Sequence, residues 1–193
     1  MRRFSGCADL SRLPLRFLFL ALLSLGFVTS SPCQSKRPEE YQVKAVYLFN
    51  FGRFVEWPDG AGKGPDFSVC VLGVDPFGNT LDSVLAGEVI GGSKLVAKRI
   101  SHVRDAAGCR ILFIGSSEAS RFKETLAEIQ TLPVLTVSDA PTFLAAGGMI
   151  QFVIRDNKVR FDVSLAPADK ARLTLSSQLL KVAAQVTGEP KTP

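Results

Sequence analysis

Histidine is almost missing from this chain of 193 residues, because His102 is the only one. No G-x-S-x-G, P-loop or G-x-G-x-x-G motif is present either, so the usual nucleophile and nucleotide-binding signatures are absent. Metal sites of the zinc type need closely spaced cysteine and histidine ligands, and the chain has none. We therefore expect no catalytic residue, no metal site, no cofactor and no enzymatic activity.

Cysteine is also scarce, with four residues in the whole chain. Cys7 and Cys33 lie near the N-terminus, whereas Cys70 and Cys109 each lie in a strand-like apolar run. In an oxidising compartment such a pair is expected to form a disulfide. Two buried free thiols are the alternative reading of the same pattern.

Long hydrophobic runs are limited to one stretch of twelve residues, Phe17–Val28. It follows several arginines, is too short to span a bilayer comfortably, and leads into small residues at 29–31. This pattern predicts a secretory signal peptide over residues 1–31; a buried helix of the domain is the alternative. Cys33 raises the further possibility of lipidation, although Pro32 stands where such a site needs a small residue.

A strong charge of one sign is lacking once the leader is set aside. The formal net charge is +5, of which the leader contributes +3, leaving about +2 for the remainder. A nearly neutral domain lacks the extended positive electrostatic potential that attracts a polyanion, so we predict no nucleic-acid partner. The basic stretch at 94–104 is interpreted as a solvated edge.

What remains is the pattern of one α/β domain at 41–188, after a flexible segment at 32–40 and before a short tail at 189–193. An aromatic-rich helix is predicted at 41–57, packed in the core or lining a ligand groove. Strands and helices then alternate up to a hairpin around Asp156-Asn157, and Ser176 caps a final helix. We predict a mixed β-sheet flanked by helices, with a C-terminal β-hairpin, a final helix and one disulfide.

Polar residues follow three of the predicted strands, at 73–75, 115–117 and 138–139. Open α/β sheets place ligands at such carboxyl ends, but the same residues are good helix N-caps. Capping is the preferred interpretation, with a short helix beginning at Ser138-Asp139 and ending at Gly147-Gly148.

Several stretches, in this order along the domain, carry a family resemblance: Val43-Lys44-Ala45, Phe54-Val55-Glu56-Trp57-Pro58, Val71 to Gly78, Leu135 to Asp139, Gly147 to Ile150, Val159 to Val163, and Leu175 to Leu180. From Tyr41 to about Val186 the chain thus resembles the YfiR family of periplasmic proteins. The resemblance implies a periplasmic, non-enzymatic repressor of a membrane-bound, YfiN-like diguanylate cyclase, which would lower cyclic di-GMP and disfavour biofilm.

The resemblance also implies further partners and covalent features. A YfiB-like outer-membrane lipoprotein could sequester the repressor, and family members resemble dimers. Cys70 and Cys109 fall where the family has a structural disulfide. A second family cysteine pair would fall near Leu144 and Gln151, so this chain has one bridge fewer.

Candidate site residues follow from the same resemblance. Ile150 and Asp162 match partner-contact positions, unless both are ordinary hairpin residues. Thr174 and Ser176 match a ligand pocket in which the family has an arginine and a histidine, so an anionic ligand would lose its basic partners here. The alternative function is a periplasmic small-ligand sensor or carrier that serves a histidine kinase or an outer-membrane transport system.

Overall fold

The structure, a computed structural model, describes residues 37–58, 60–61 and 65–188. Within these ranges the chain forms five α-helices: α1 (Arg37–Phe54), α2 (Asn79–Leu85), α3 (Phe122–Ile129), α4 (Leu165–Lys170) and α5 (Ser177–Val182). The predicted signal peptide, Cys33, most of the predicted segment 32–40 and the predicted tail lie outside the described residues.

The strands found in the same ranges are β1 (Val55–Glu56), β2 (Phe67–Leu72), β3 (Val89–Ile90), β4 (Ser93–Ile100), β5 (Ile111–Ile114), β6 (Leu135–Ser138), β7 (Ile150–Arg155), β8 (Lys158–Ser164), β9 (Thr174–Leu175) and β10 (Gln185–Thr187). Eight of them form one sheet in the order β10-β8-β7-β6-β5-β2-β4-β3, and β1 pairs with β9 separately. The five strands from β7 to β4 are parallel, β8 runs antiparallel to β7, and β3 runs antiparallel to β4. The predicted mixed sheet flanked by helices is therefore confirmed.

The central strands are buried and mainly apolar because both faces of the sheet are covered. All six residues of β2 and all four of β5 are buried. Alternate side chains divide into two clusters: Val71 and Phe113 face α1 and α2, whereas Leu72 and Leu112 face α3. A strand with only one buried face would instead alternate with polar residues, as the outer part of β8 does.

Helix α1 crosses one face of the sheet and supplies much of its core. Leu48 and Phe51 are fully buried, and the Phe51 ring centroid lies 5.0 Å from that of Phe161 and 5.9 Å from that of Phe152. These aromatics therefore belong to the core rather than to an open groove. The helix begins at Arg37 and ends at Phe54, where the chain turns into β1 instead of continuing to Trp57.

The short helix predicted after β6 is not formed. Residues 141–147 form successive turns, and the Ser138 hydroxyl donates to the Ile114 carbonyl and accepts from the Ala140 amide at the start of this loop. The predicted final helix capped by Ser176 is confirmed as α5, but it ends at Val182 and the chain continues as β10, which pairs with β8 in parallel. A strand, not a helix, is thus the last described element.

The predicted disulfide is confirmed. Cys70 in β2 is bonded to Cys109, which precedes the neighbouring strand β5, and the two Cα atoms are 5.9 Å apart. Both residues are buried against the α3 side of the sheet. The bond therefore links two adjacent central strands.

Candidate partner-binding surface

The hairpin of β7 and β8 has one face packed against α1 and a second face that is exposed toward the turn. Paired residues fix which side chains share a face: Ile150 lies opposite Val163, and Gln151 opposite Asp162. Phe152, Phe161 and Val163 pack with α1 in the main core. We call the other side the open face; it carries Gln151, Val153, Arg155, Lys158, Arg160 and Asp162.

The tip of the hairpin has the turn that the sequence predicts. Asp156 and Asn157 have φ angles of 50° and 58°, as a two-residue turn with two left-handed positions requires. Arg155 pairs with Lys158 across this turn, so both side chains project on the same side. The turn therefore places two cationic groups side by side at the end of the open face.

Asp162 is held by an ion pair at the centre of the open face. Its two carboxylate oxygens accept bonds of 3.0 and 2.9 Å from Nη2 of Arg155, and only 8% of the residue is exposed. The other terminal nitrogen of Arg155 donates to the Ala184 carbonyl at 3.4 Å. This guanidinium connects β7, β8 and the residue before β10, while 44% of its side chain stays exposed.

The strands of the open face are electropositive. Arg155, Lys158 and Arg160 oppose the single carboxylate of Asp162, which is already neutralised. Arg160 is exposed and forms no ion pair with any residue that the structure describes. An acidic surface would find uncompensated cations here.

The two predicted partner-contact residues lie on opposite faces of the sheet. Ile150 has no exposed surface and packs in the main core, whereas Asp162 belongs to the open face. Their role in partner binding stays a prediction.

The predicted ligand-pocket residues lie close together in the chain, Thr174 in β9 and Ser176 directly after it. Thr174 is exposed and pairs with Glu56. Ser176 caps α5, accepting from the Leu179 amide at 3.2 Å, and its own amide donates to the Phe54 carbonyl at 2.9 Å. Capping accounts for the hydroxyl of Ser176, and ligand binding at this pair stays a prediction.

The polar loops at the strand ends serve mainly to hold the backbone. Asp75 accepts from the Phe77 amide at 2.7 Å, and the Ser117 hydroxyl accepts from the Val74 amide at 2.9 Å. Helix α2 begins later than the predicted cap, at Asn79, because Asp75 forms this turn and an ion pair with Arg99. Asp75 therefore stabilises a turn and does not cap α2, so the predicted cap at this residue is wrong.

Arg99 connects β4 to α2 and to the loop after β2. It donates to both carboxylate oxygens of Asp82, at 2.8 and 2.6 Å, and to Asp75 at 2.8 Å. The hydrogen bond from Arg99 lowers the pKa of Asp82, and the same bond raises the pKa of the guanidinium. By contrast, burial lowers the pKa of Arg110, whose Nε atom is buried without a hydrogen-bond partner among the described residues.

Sequence reasoning missed a buried ionic cluster at the carboxyl end of β6. The Lys44 ammonium lies 2.7 Å from Oδ2 of Asp139 and 2.5 Å from Glu40, and Tyr41 donates to the same Asp139 oxygen at 2.8 Å. Glu40 and Lys44 are four residues apart on α1, which is a visible signal for an ion pair. Asp139 is 95 residues away, so only the fold brings it here.

Metal-binding groups are not found among the residues described: no cluster of three or more histidine, cysteine, aspartate or glutamate side chains could hold an ion. In the same ranges no helix has the length and apolar character needed to cross a membrane. The fold and the open face define a mixed α/β domain with a partly exposed, cationic sheet surface.

The chain belongs to the YfiR/HmsC-like family, whose model matches residues 41–184. The suspected resemblance is thereby confirmed. No curated protein matches the sequence significantly.

Solved structures resemble the chain at low sequence identity. A conserved domain protein from Vibrio cholerae O1 biovar El Tor is 10% identical, with a TM-score of 0.52 over 76% of this chain and 60% of that one. An ABC domain in complex with L-Trp from Streptococcus pneumonia is 12% identical, with a TM-score of 0.49 over 77% of this chain and 60% of that one. The chain spans 60% of the length of each, and the first likeness supports the fold alone.

Proposed function

We propose that this protein is a periplasmic repressor that binds the periplasmic domain of a membrane-bound, YfiN-like diguanylate cyclase and so lowers cyclic di-GMP. The observation that carries the proposal is the open face, a partly exposed cationic sheet surface in a domain of the YfiR/HmsC-like family. The export signal predicted at residues 1–31 is consistent with this compartment.

The open face suits a protein partner because it is rigid before binding. Its backbone is fixed because β7 pairs with β6 and β8 pairs with β10. The side chain of Arg155 is held in position by its ion pair with Asp162. A preorganised surface loses little conformational entropy on association, so more of the contact energy is realised as affinity. We propose that Asp162 acts by positioning Arg155, and that Arg155 and Arg160 meet acidic side chains of the cyclase.

Two further assemblies are part of the same proposal. A YfiB-like outer-membrane lipoprotein would sequester the repressor, and the repressor itself would be a homodimer. The α1 end of the hairpin leaves Val43 and Ile154 exposed by 44% and 55%, which offers apolar area for such contacts. Sedimentation of the purified protein checks the dimer.

The alternative function, a small-ligand sensor or carrier for a histidine kinase or an outer-membrane transport system, has one observation in its favour. A cleft between α3 and α4 has a mainly apolar floor and two lysines at its rim. A sensor would bind a ligand there and bind no cyclase. The two functions therefore differ in whether a cyclase is recovered with the protein.

The test measures cyclic di-GMP in cells that lack the gene. We expect a rise on deletion, full restoration by the wild-type protein, and failure of Arg160→Glu to restore repression, because this change places a carboxylate against an acidic partner. Arg104→Glu is the matched control, since Arg104 is exposed on the 3-10 helix Val103–Gly108, away from the hairpin.

Periplasmic levels and near-ultraviolet circular dichroism of both variants show whether each protein folds and accumulates. Unchanged cyclic di-GMP on deletion would refute repression. If repression is lost equally in Arg104→Glu and Arg160→Glu, the open face is not the contact surface.

A further inference from the structure

Helices α3 and α4 border a cleft at the end of the sheet where β7 begins. Its floor includes Leu126 and Ile129 of α3 and Met149, which directly precedes β7; its far wall includes Pro167 of α4. We call this space the α3–α4 cleft. Its volume is about 210 Å³. Thr174 and Ser176 do not line it, so it is separate from the predicted ligand pocket.

The floor of the cleft is mainly apolar and already fixed in position, although Gln130 and Thr136 add polar atoms to the lining. Leu126, Ile129 and Met149 are 5%, 3% and 3% exposed, so each belongs to the packed interior and shows only its outer atoms to the cleft. Since a water occupies about 30 Å³ of liquid, the space equals about seven waters, which suits a ligand of about seven to ten non-hydrogen atoms. Such a floor favours an alkyl or aryl group.

The rim of the cleft is cationic. Lys123 and Lys170 approach it from different helices, and neither forms an ion pair with any residue within the described ranges. No acidic residue is among the described residues that line the cleft, because Glu124 and Glu128 project from another side of α3. Two ammonium groups above a mainly apolar floor match an anion that carries a hydrophobic tail.

We propose that the α3–α4 cleft binds a small amphipathic monocarboxylate of about seven to ten non-hydrogen atoms, with its tail on Leu126, Ile129 and Met149 and its carboxylate between Lys123 and Lys170. This inference is independent of the proposed repressor function. It holds whether or not a cyclase is the partner.

Octanoate is the probe, with 1-octanol and octylammonium as neutral and cationic analogues of the same tail length. We expect octanoate to bind with a dissociation constant of roughly 0.1–1 mM by calorimetry, given its size. Octanol should bind at least fivefold more weakly and octylammonium should not bind. Amide resonances of α3 and α4 should shift on addition of octanoate, whereas those of β3 and β4 should not.

Two variants separate the contributions of charge and space. Lys123→Gln/Lys170→Gln should weaken octanoate at least tenfold while leaving octanol unchanged, and Ala127→Leu should weaken both ligands by filling the cleft. Lys98→Gln, an exposed lysine of β4, is the control and should bind like the wild type. Near-ultraviolet circular dichroism confirms that each variant is folded.

Three results would overturn the proposal: no octanoate binding at 5 mM, equal affinity for octanoate and octanol, or unchanged octanoate affinity in the double lysine variant. A shift pattern centred on the β1 and β9 ribbon would place the site elsewhere and would overturn it as well.

Discussion

Lys44 is a charged side chain that the fold keeps almost entirely from solvent. The residue is 3% exposed, and its ammonium group lies between the carboxylates of Asp139 and Glu40. Removing one member of a buried ion pair costs more than the pair itself contributes, because the remaining charge is left in a poorly solvated site. The value of Lys44 therefore lies mainly in its neutralisation of Asp139, whose side chain is 12% exposed.

We expect Lys44→Met to lower the free energy of unfolding by about 3 kcal/mol, since Asp139 then lacks a cation and keeps only the hydrogen bond from Tyr41. Lys44→Met/Asp139→Asn should recover at least half of this loss. Urea unfolding at pH 7 measures both. Lys98→Met, an exposed lysine in β4, is the control and should change stability by less than about 0.5 kcal/mol. A Lys44→Met protein as stable as the control would show that Asp139 is well solvated.

Among the elements, the covalent link between β2 and β5 has the largest expected effect on stability. The bonded cysteines are separated by 39 positions, and the closed loop contains α2, β3, β4 and the 3-10 helix at 103–108. In the chain-entropy model a loop of this size stabilises the folded state by about 4 kcal/mol, because the unfolded chain loses conformations. A disulfide is especially stabilising between parallel strands, because the crossover connections that join such strands are long.

We expect Cys70→Ala/Cys109→Ala to lower the free energy of unfolding by about 3–5 kcal/mol, part of it from the lost sulfur packing. The wild-type protein should fall to nearly the same stability in dithiothreitol, whereas the variant should not respond to the reductant. Urea unfolding of the wild-type protein and of the variant, each with and without dithiothreitol, gives the four free energies of unfolding. If reduction leaves the wild-type midpoint unchanged, the bond contributes nothing in solution.

At the scale of the whole molecule, the sequence predicts those parts whose signals are local. The hairpin follows from Asp156-Asn157 between alternating strands, and the disulfide follows from two cysteines in strand-like runs after a predicted export signal. Strand β10 has only three residues, all exposed, and forms because Phe161 accepts from the Ala184 amide and β8 offers a free edge. A pattern so short has no periodicity to recognise.

The candidate site is likewise predictable from the sequence only in part. The sequence, through the family resemblance, indicated Asp162, but not Arg155 or Arg160 beside it. Those two share a face with Asp162 only because the hairpin register places Arg160 opposite Val153 and Arg155 opposite Lys158. Likewise, the α3–α4 cleft joins residues from three separate elements, and its lysines look like ordinary surface residues in the sequence. Long-range assembly, not local propensity, creates both surfaces.

The N-terminal boundary of the domain lies earlier in the structure than in the sequence prediction. The predicted domain and the family model both begin at residue 41, whereas α1 begins at Arg37. Its first turn carries Glu39 and Glu40, which are favourable at the positive end of the helix, and Glu40 also pairs with Lys44. A domain cut at residue 41 would lose both contributions.

We therefore expect a chain of residues 41–193 to unfold about 3–6 °C below one of residues 35–193, which corresponds to roughly 1–2 kcal/mol for a domain of this size. Glu40→Gln in the longer chain should reproduce about half of the decrease, because it removes the ion pair but keeps the helical turn. Thermal unfolding followed by circular dichroism at 222 nm compares the three proteins at one ionic strength. Since salt screens the helix-terminal charges more than the sheltered Lys44 pair, 0.5 M sodium chloride should reduce the difference between the two chain lengths without removing it. Equal midpoints for the two lengths would mean that the first turn of α1 adds nothing, and that the independent folding unit begins at Tyr41.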